Sequence, residues 1–219
     1  MGHQANQVRE DILDRVLTRS LLPGERVDEA DLMRRLGLSG TPIREALISL
    51  EAVGVVERRP RDGARITTLD LEGLIKSVEV LAETEAAVAY RAARRINKTQ
   101  AKDLEDRCRD CLDFAKTPNR GQGDYYDLNI GFHRALIAAA ANEYLEESVY
   151  LTSNRLIAYL AARHALPGEP ERSAEEHSLI RDAVLDANGD LARDLMLKHI
   201  VFSDTLALDV FNAVTVTTA

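Results

Sequence analysis

Four polar residues in the later two thirds of the chain have the types and the spacing of metal ligands. Asn129 and His133 are four residues apart, so on a helix they share one face. His177 and His199 lie on the apolar stripes of two later helical segments. A single inward histidine is usually a core residue, but three on separate helices favour a site. Three imidazole nitrogens and one amide oxygen could bind Zn²⁺, Ni²⁺ or Mn²⁺ and leave positions open for a chelating ligand.

The same residues permit a second interpretation, a metal-dependent hydrolase. Glu176 or Asp127 would then act as the general base on a metal-bound water. The sequence has no H-E-x-x-H or comparable hydrolase motif. This hypothesis also assigns no function to the N-terminal part of the chain.

Helices must position these four residues, because from Leu71 onward the apolar residues recur only with helical spacing. Ser173 and Glu176 have the spacing of a capping box at the start of one helix. His164 lies beside a Pro-Gly loop and is expected at the surface. We predict an all-α bundle of six to seven helices over residues 69–219, with segments at about 71–96, 98–116, 124–140, 143–164, 173–188 and 190–211.

Residues 1–68 have a different pattern, typical of a winged helix-turn-helix. A helix is predicted over 6–20, a second over 28–37, and a third that Ser39 and Thr41 would cap. The stretch VVERRPRDGARITT then predicts a two-stranded hairpin. The fold class expected for the whole chain is therefore mainly α, in two domains.

Charge is distributed unevenly between these domains. The chain has a net charge of −8, yet residues 1–68 hold 11 arginines against 11 acidic residues. Seven of the arginines lie within 34–65, which is the pattern of a local DNA-binding face. Apolar stretches are only a few residues long, so we expect no membrane span. The N-terminus has no apolar signal region, so the expected location is the cytoplasm.

In a helix-turn-helix the start of the third helix lies in the major groove. The candidate DNA contacts there are Ser39, Thr41 and above all Arg44, whose guanidinium can bind a base or a phosphate in bidentate fashion. The remaining candidates lie on the second helix and in the wing: Arg34, Arg35, Arg61 and Gly63. A winged helix used only for protein contacts is the alternative.

The run LLPGERVDEADLMRRLGLSGTPIREALISLEAVGVVERRPRDGARI resembles the winged helix of GntR regulators. That family's pattern has an arginine after the serine and another before the wing glycine. Gly40 and Asp62 occupy these positions here, so two positive charges are missing.

The segments NIGFHRALIAAAANEYL, EEHSLIRDAV and ARDLMLKHI resemble the FCD ligand domain of FadR-type GntR regulators. The resemblance implies a metal held by Asn129, His133, His177 and His199, with Asn129 at a position that is Asp in the family. It also implies a homodimer on a palindromic operator, and a small organic or sugar acid as the effector. Arg134 and Arg155 are the candidate contacts for that acid.

Overall fold

The computed structural model describes residues 2–59, 62–117 and 124–215, which form two helical domains in one chain. The first domain contains three helices and a two-stranded sheet. The second contains eight helices among the described residues. The elements are α1 (His3–Leu17), α2 (Glu29–Leu36), α3 (Gly40–Ala52), β1 (Val56–Arg59), β2 (Gly63–Ile66), α4 (Leu71–Arg95), α5 (Lys98–Lys116), α6 (Asp124–Ala140), α7 (Glu143–Arg155), α8 (Ile157–His164), α9 (Glu169–Leu185), α10 (Gly189–Ile200) and α11 (Asp204–Val214).

The N-terminal domain is the predicted winged helix-turn-helix. The Asp28 carboxylate accepts hydrogen bonds from the first backbone N–H groups of α2, and Gly37 ends this helix with a left-handed φ of +67°. Ser39 precedes α3, but its side chain makes no capping hydrogen bond, so that prediction was wrong. β1 and β2 pair in antiparallel fashion, with Val56 opposite Ile66. This hairpin is the wing.

The long helix α4 is the centre of the C-terminal domain. It packs against α6, α7, α9, α10 and α11. Its inner face is rich in alanine, including Ala82, Ala86 and Ala89, and small side chains let neighbouring helices approach closely. The start of α10 comes nearest, since a Cβ on Gly189 would lie 3.0 Å from the Tyr90 ring.

Two predicted helices are each divided into two. The segment 143–164 breaks at Leu156, whose φ of −92° and ψ of 0° interrupt the helix between α7 and α8. The segment 190–211 breaks after Ile200, and the Ser203 side chain accepts a hydrogen bond from the first turn of α11. These breaks explain why the described bundle has eight helices and not six or seven.

The start of α9 also differs from the prediction. The helix begins at Glu169, after Gly168 in the left-handed region and with a proline in its first turn. Ser173 is consequently one turn inside the helix and fully buried. The predicted capping box of Ser173 and Glu176 was therefore wrong.

The two domains touch through specific contacts. The Tyr159 hydroxyl of α8 accepts a hydrogen bond from the Leu69 backbone N–H at 2.9 Å and lies 3.2 Å from the carbonyl oxygen of the same residue. Helix α1 of the winged domain packs directly against α8. No helix within the described ranges is both long and apolar enough to cross a membrane.

Candidate functional site

Three histidines from three helices meet in the interior of the C-terminal domain. His133 lies on α6, His177 on α9 and His199 in the last turn of α10, and all three are buried. One ring nitrogen from each lies within 4.8 Å of the others. The Nε2 atoms of His177 and His199 are 3.2 Å apart. Imidazole nitrogens that converge in this way are close enough together to bind one transition-metal ion.

Two carboxylates fix the orientation of two of these rings. Nδ1 of His133 is 2.6 Å from Oε2 of Glu85, and Nδ1 of His199 is 2.7 Å from Oε2 of Glu176. An Nδ1–H that donates to a carboxylate leaves the lone pair on Nε2 free. Metal-binding histidines are commonly held in this way, which fixes the tautomer and makes the ligand nitrogen more basic.

Glu85 was not among the predicted site residues. It is only 4% exposed, on the α4 face that also carries Ala82, Ala86 and Ala89. A carboxylate at an inward position of an alanine-rich helix face is costly to bury without a partner. That isolated acidic residue on an apolar stripe was the sequence signal that could have identified it.

His177 and Asn129 have different surroundings. The His177 ring stacks on Phe132 with 3.9 Å between centroids, and burial holds the pKa of His177 and of His199 well below the ordinary value of 6.5. Both rings are therefore neutral, the form that binds metal. The buried Asn129 side chain accepts a hydrogen bond from the Ser173 hydroxyl at 3.4 Å.

A cavity of about 360 Å³ opens beside the histidine cluster. Arg134 is exposed and borders this cavity, as an effector contact should. Arg155 is not among the residues that line it, and its Cβ lies 3.7 Å from the place that a Cβ on Gly54 of the winged domain would take. Other lining residues include Tyr126, Asp127, Asn129, His133, His164 and His199.

His164 was predicted at the surface, and this was wrong. It is 6% exposed and borders the cavity at the end of α8. Its ring lies near Tyr125 and Tyr126, with centroid distances of 5.3 and 6.3 Å. Its Nδ1 is buried and has no hydrogen-bond partner among the described residues. The ring can therefore still offer a polar atom to a ligand.

A second buried group at the cavity, Arg163, was also missed. Its Nε donates to Glu169 at 2.9 Å and its Nη2 donates to the carbonyl oxygen of His199 at 2.8 Å. The same guanidinium lies 5.1 Å from the Phe202 ring centroid. Arg163 thus holds the end of α10, where His199 is located, and its positive charge is already compensated.

In the N-terminal winged domain, the start of α3 carries exposed polar side chains. Arg44 is exposed and forms no ion pair with any residue that the structure describes. The hydroxyls of Ser39 and Thr41 are exposed as well, and neither makes a hydrogen bond within the described part of the chain. All three side chains are therefore free to contact a phosphate or a base.

Arg34 and Arg35 on α2 are less available. Arg34 lies 2.5 Å from the Asp31 carboxylate. Arg35 pairs with Asp31 at 2.8 Å and with Asp11 at 2.7 Å. Arg35 would have to exchange these partners for a phosphate, so it is better placed to hold α2 against α1 than to contact DNA.

One of the two predicted wing residues, Gly63, lies within the described residues, next to an arginine that was not predicted. Gly63 has a φ of +81°, and a Cβ there would lie 3.5 Å from Nε of Arg26. Arg26 is exposed beside the wing and has no ion-pair partner among the described residues. Arg61, the other predicted wing contact, lies outside the described residues.

Two family models match the chain. One is described as "Bacterial regulatory proteins, gntR family" and matches residues 4–66, and the other, the FCD domain, matches residues 77–202. The chain is a GntR-family transcriptional regulator with an FCD domain.

Relatives of this regulator are themselves named as regulators. The HTH-type transcriptional repressor RspR of Escherichia coli K12 is 27% identical over 199 residues, covering 89% of the regulator and 85% of RspR. The Nta operon transcriptional regulator of Aminobacter aminovorans is 28% identical over 178 residues, covering 81% and 82% of the two chains.

Solved structures show the same fold. Escherichia coli McbR/YncC superimposes with a TM-score of 0.76 at 20% identity, over 91% of the regulator and 94% of that chain. A GntR regulator from Rhodococcus sp. RHA1 superimposes with a TM-score of 0.68 at 17% identity, over 97% and 99% of the two chains.

The hydrolase hypothesis also fails in the geometry of the regulator's site. Both oxygens of the Glu176 carboxylate are engaged, one by Arg172 at 2.7 Å and the other by His199 at 2.7 Å. Glu176 is thus held by Arg172 and His199, and it is not among the residues that line the cavity. Asp127 is exposed at the cavity, and the two relatives above are named as transcriptional regulators.

Gly40 and Asp62, the two departures from the family pattern, have different consequences. A Cβ on Gly40 would meet only Met33 and Arg44, at 3.8 and 4.0 Å, so a larger side chain fits there. The Asp62 carboxylate forms an ion pair with Arg65 at 2.6 Å, which keeps the pKa of Asp62 below its usual range. Asp62 thus neutralises a neighbouring arginine of the wing.

Proposed function

We propose that the regulator binds a divalent metal through His133, His177 and His199, senses a small organic acid at that metal, and changes its affinity for DNA in response. The observation that carries this proposal is the convergence of three buried imidazole nitrogens within 4.8 Å, beside a cavity of about 360 Å³. A cavity of this size falls in the usual range for small ligands.

The donor set suits the metal. Three imidazole nitrogens and one amide oxygen fit Zn²⁺, Ni²⁺ or Mn²⁺, and coordination positions that the protein leaves open would take a chelating acid. Asn129 is the proposed oxygen ligand, and because it is uncharged we expect weaker metal binding than a carboxylate would give. Arg134 borders the same cavity and supplies positive charge for the acid.

At the DNA, α3 would enter the major groove with Arg44 directed at the bases, while Ser39 and Thr41 contact phosphates. The wing would approach the backbone at Gly63. We propose a homodimer on a palindromic operator, since two winged helices then address two half-sites. The name of RspR, a transcriptional repressor, supports release of DNA as the response to the acid.

Metal analysis tests the central claim. Protein purified without a histidine tag should contain a transition metal, and at a hundred times its Kd the metal should stabilise the fold by about 2.7 kcal/mol. His133→Ala should abolish both effects. His3→Ala is the matched control, because His3 is exposed at the start of α1. Equal metal binding by both variants would refute the proposed site.

Gel-shift assays test the DNA contacts. With the DNA upstream of the regulator's own gene, Arg44→Ala should weaken binding by roughly 10-fold or more, as the loss of a charged contact implies. Arg107→Ala is the control, an equal loss of charge on the exposed face of α5. Unchanged binding by Arg44→Ala would contradict the assignment of α3. Sedimentation of the free protein and of its DNA complex checks the homodimer.

A further inference from the structure

The cavity beside the histidines is not formed by the C-terminal domain alone. Three residues of α1, in the winged domain, also line it: Arg9, Leu13 and Leu17. They are spaced four residues apart and so lie along one face of α1. The adjacent face of α1, with Val8 and Ile12, is buried in the core of its own domain. Helix α1 therefore contacts both the ligand cavity and the core of the DNA-binding domain.

Arg9 has no partner for its charge within the part of the chain that the structure describes. It is half-buried at the cavity, and neither an ion pair nor a hydrogen bond engages its guanidinium. The other arginines at this cavity differ: Arg163 is paired with Glu169, and Arg134 is exposed. Among the acidic lining residues, Glu85 is engaged by His133 and only the exposed Asp127 remains. The cavity thus keeps two unpaired arginines, one from each domain, against one unpaired carboxylate.

We propose that Arg9 is a ligand contact of the effector site, and that the effector is an organic acid with at least two carboxylates. One end would chelate the metal, and Arg9 would hold the second carboxylate. This inference rests on the proposed function of the histidine site. Arg9 provides a charge-assisted contact from the DNA-binding domain itself.

The contact would couple the bound ligand, through α1, to the helix α3 that is proposed to contact DNA. Helix α1 packs against α3, which carries Arg44, and also against α8, which ends at His164. An acid that binds the metal and Arg9 together would hold α1 against the C-terminal domain. A ligand shifts an equilibrium only by its differential contacts with two states, and the Arg9 contact exists only when the domains are in this arrangement.

Calorimetry on zinc-loaded, full-length protein tests the proposal with two probes. Citrate has a chelating end and further carboxylates, whereas lactate has the chelating end alone. We expect Arg9→Gln to weaken citrate binding by about 10-fold, the typical effect of losing a hydrogen bond to a charged group. Lactate binding should stay unchanged. The control is Arg15→Gln, on the same helix but 4.0 Å from Asp31 and outside this cavity.

A gel shift provides a second readout. Without acid, Arg9→Gln should bind the upstream DNA as well as the wild type does, and citrate should release the wild type at about ten times lower concentration than the variant. Equal citrate affinity in the two proteins would overturn the role of Arg9 and leave the histidine site standing. An equal loss for lactate and citrate would also overturn it, since the substitution would then act on the metal end. If neither acid binds the zinc-loaded wild type, the proposed function fails, and this inference with it.

Discussion

Acid should destabilise the metal-free regulator steeply below pH 6.5. His164, His177 and His199 are buried, and burial holds the pKa of each imidazole well below its ordinary value of 6.5. The folded chain keeps these rings neutral as the pH falls, whereas the unfolded chain protonates them from about pH 6.5 downward. Because the unfolded state then binds more protons, the free energy of unfolding decreases in that range. Above pH 6.5 the rings are neutral in both states, so these groups do not change the free energy of unfolding there.

The size of the effect follows from the number of rings. Each proton bound only by the unfolded state lowers the free energy of unfolding by about 1.4 kcal/mol per pH unit. Three buried histidines give about 4 kcal/mol per unit once the unfolded state is fully protonated. Burial raises the pKa of Glu176, so in the folded state this group takes up a proton at higher pH than in the unfolded chain and offsets part of the loss. We therefore expect roughly 3 to 4 kcal/mol per pH unit, which is large beside a total stability of about 5–15 kcal/mol.

Urea unfolding in EDTA at several values between pH 7.5 and 5 measures this slope. His164→Leu should make the slope shallower by about 1.4 kcal/mol per pH unit, since it removes one of the protons that only the unfolded state binds. His3→Ala should leave the slope unchanged, because His3 is exposed. A free energy of unfolding that does not change from pH 7 to 5 would refute the claim that His164, His177 and His199 are buried in neutral form.

Three further substitutions test the DNA face and the metal site. Gly40→Arg should make the slope of log K against log salt for DNA binding steeper by about 0.9, the value for one added phosphate contact. Fluorescence anisotropy measures this slope, with Gly40→Gln as the uncharged control. An unchanged slope would show that this position does not face the DNA backbone. Glu85→Ala should weaken zinc binding by about 10- to 100-fold in a chelator competition, because His133 loses the carboxylate that orients it. Glu83→Ala, an exposed residue of the same helix, should have no effect. Asn129→Asp should tighten zinc binding, and an unchanged Kd would remove residue 129 from the ligand set.

Local patterns in the sequence were sufficient for most of the fold. Asp28 and Gly37 mark the start and the end of α2 as expected, because capping depends on residues within one helical turn. The three clustered histidines could be found because each lies on the apolar stripe of a long helix. The breaks at Leu156 and after Ile200 could not, since no proline or glycine marks them and the packing of the surrounding helices decides where the backbone turns.

The misses in the site share a physical cause. Glu85 and His133 are 48 residues apart in sequence, and Arg163 reaches the His199 carbonyl across 36 residues. Such pairs form when helices that are distant in sequence pack together, so no local pattern reveals them. His164 follows the same rule: the adjacent Pro-Gly loop suggested exposure, but α8 turns its last residue toward Tyr125 and the cavity.

The ion pairs of the winged domain show how a chain with a net charge of −8 can still address DNA. Arg35 and Arg65 are engaged by carboxylates of their own domain, and exchanging one anion for another gains little free energy. Arg44 and Arg26 have no such partner among the described residues, so each can release a counterion when it meets a phosphate. A count of arginines therefore overstates the electrostatic part of DNA affinity. Under the proposed function, the position of Arg44 on α3 therefore matters more for operator binding than the total charge of the domain does.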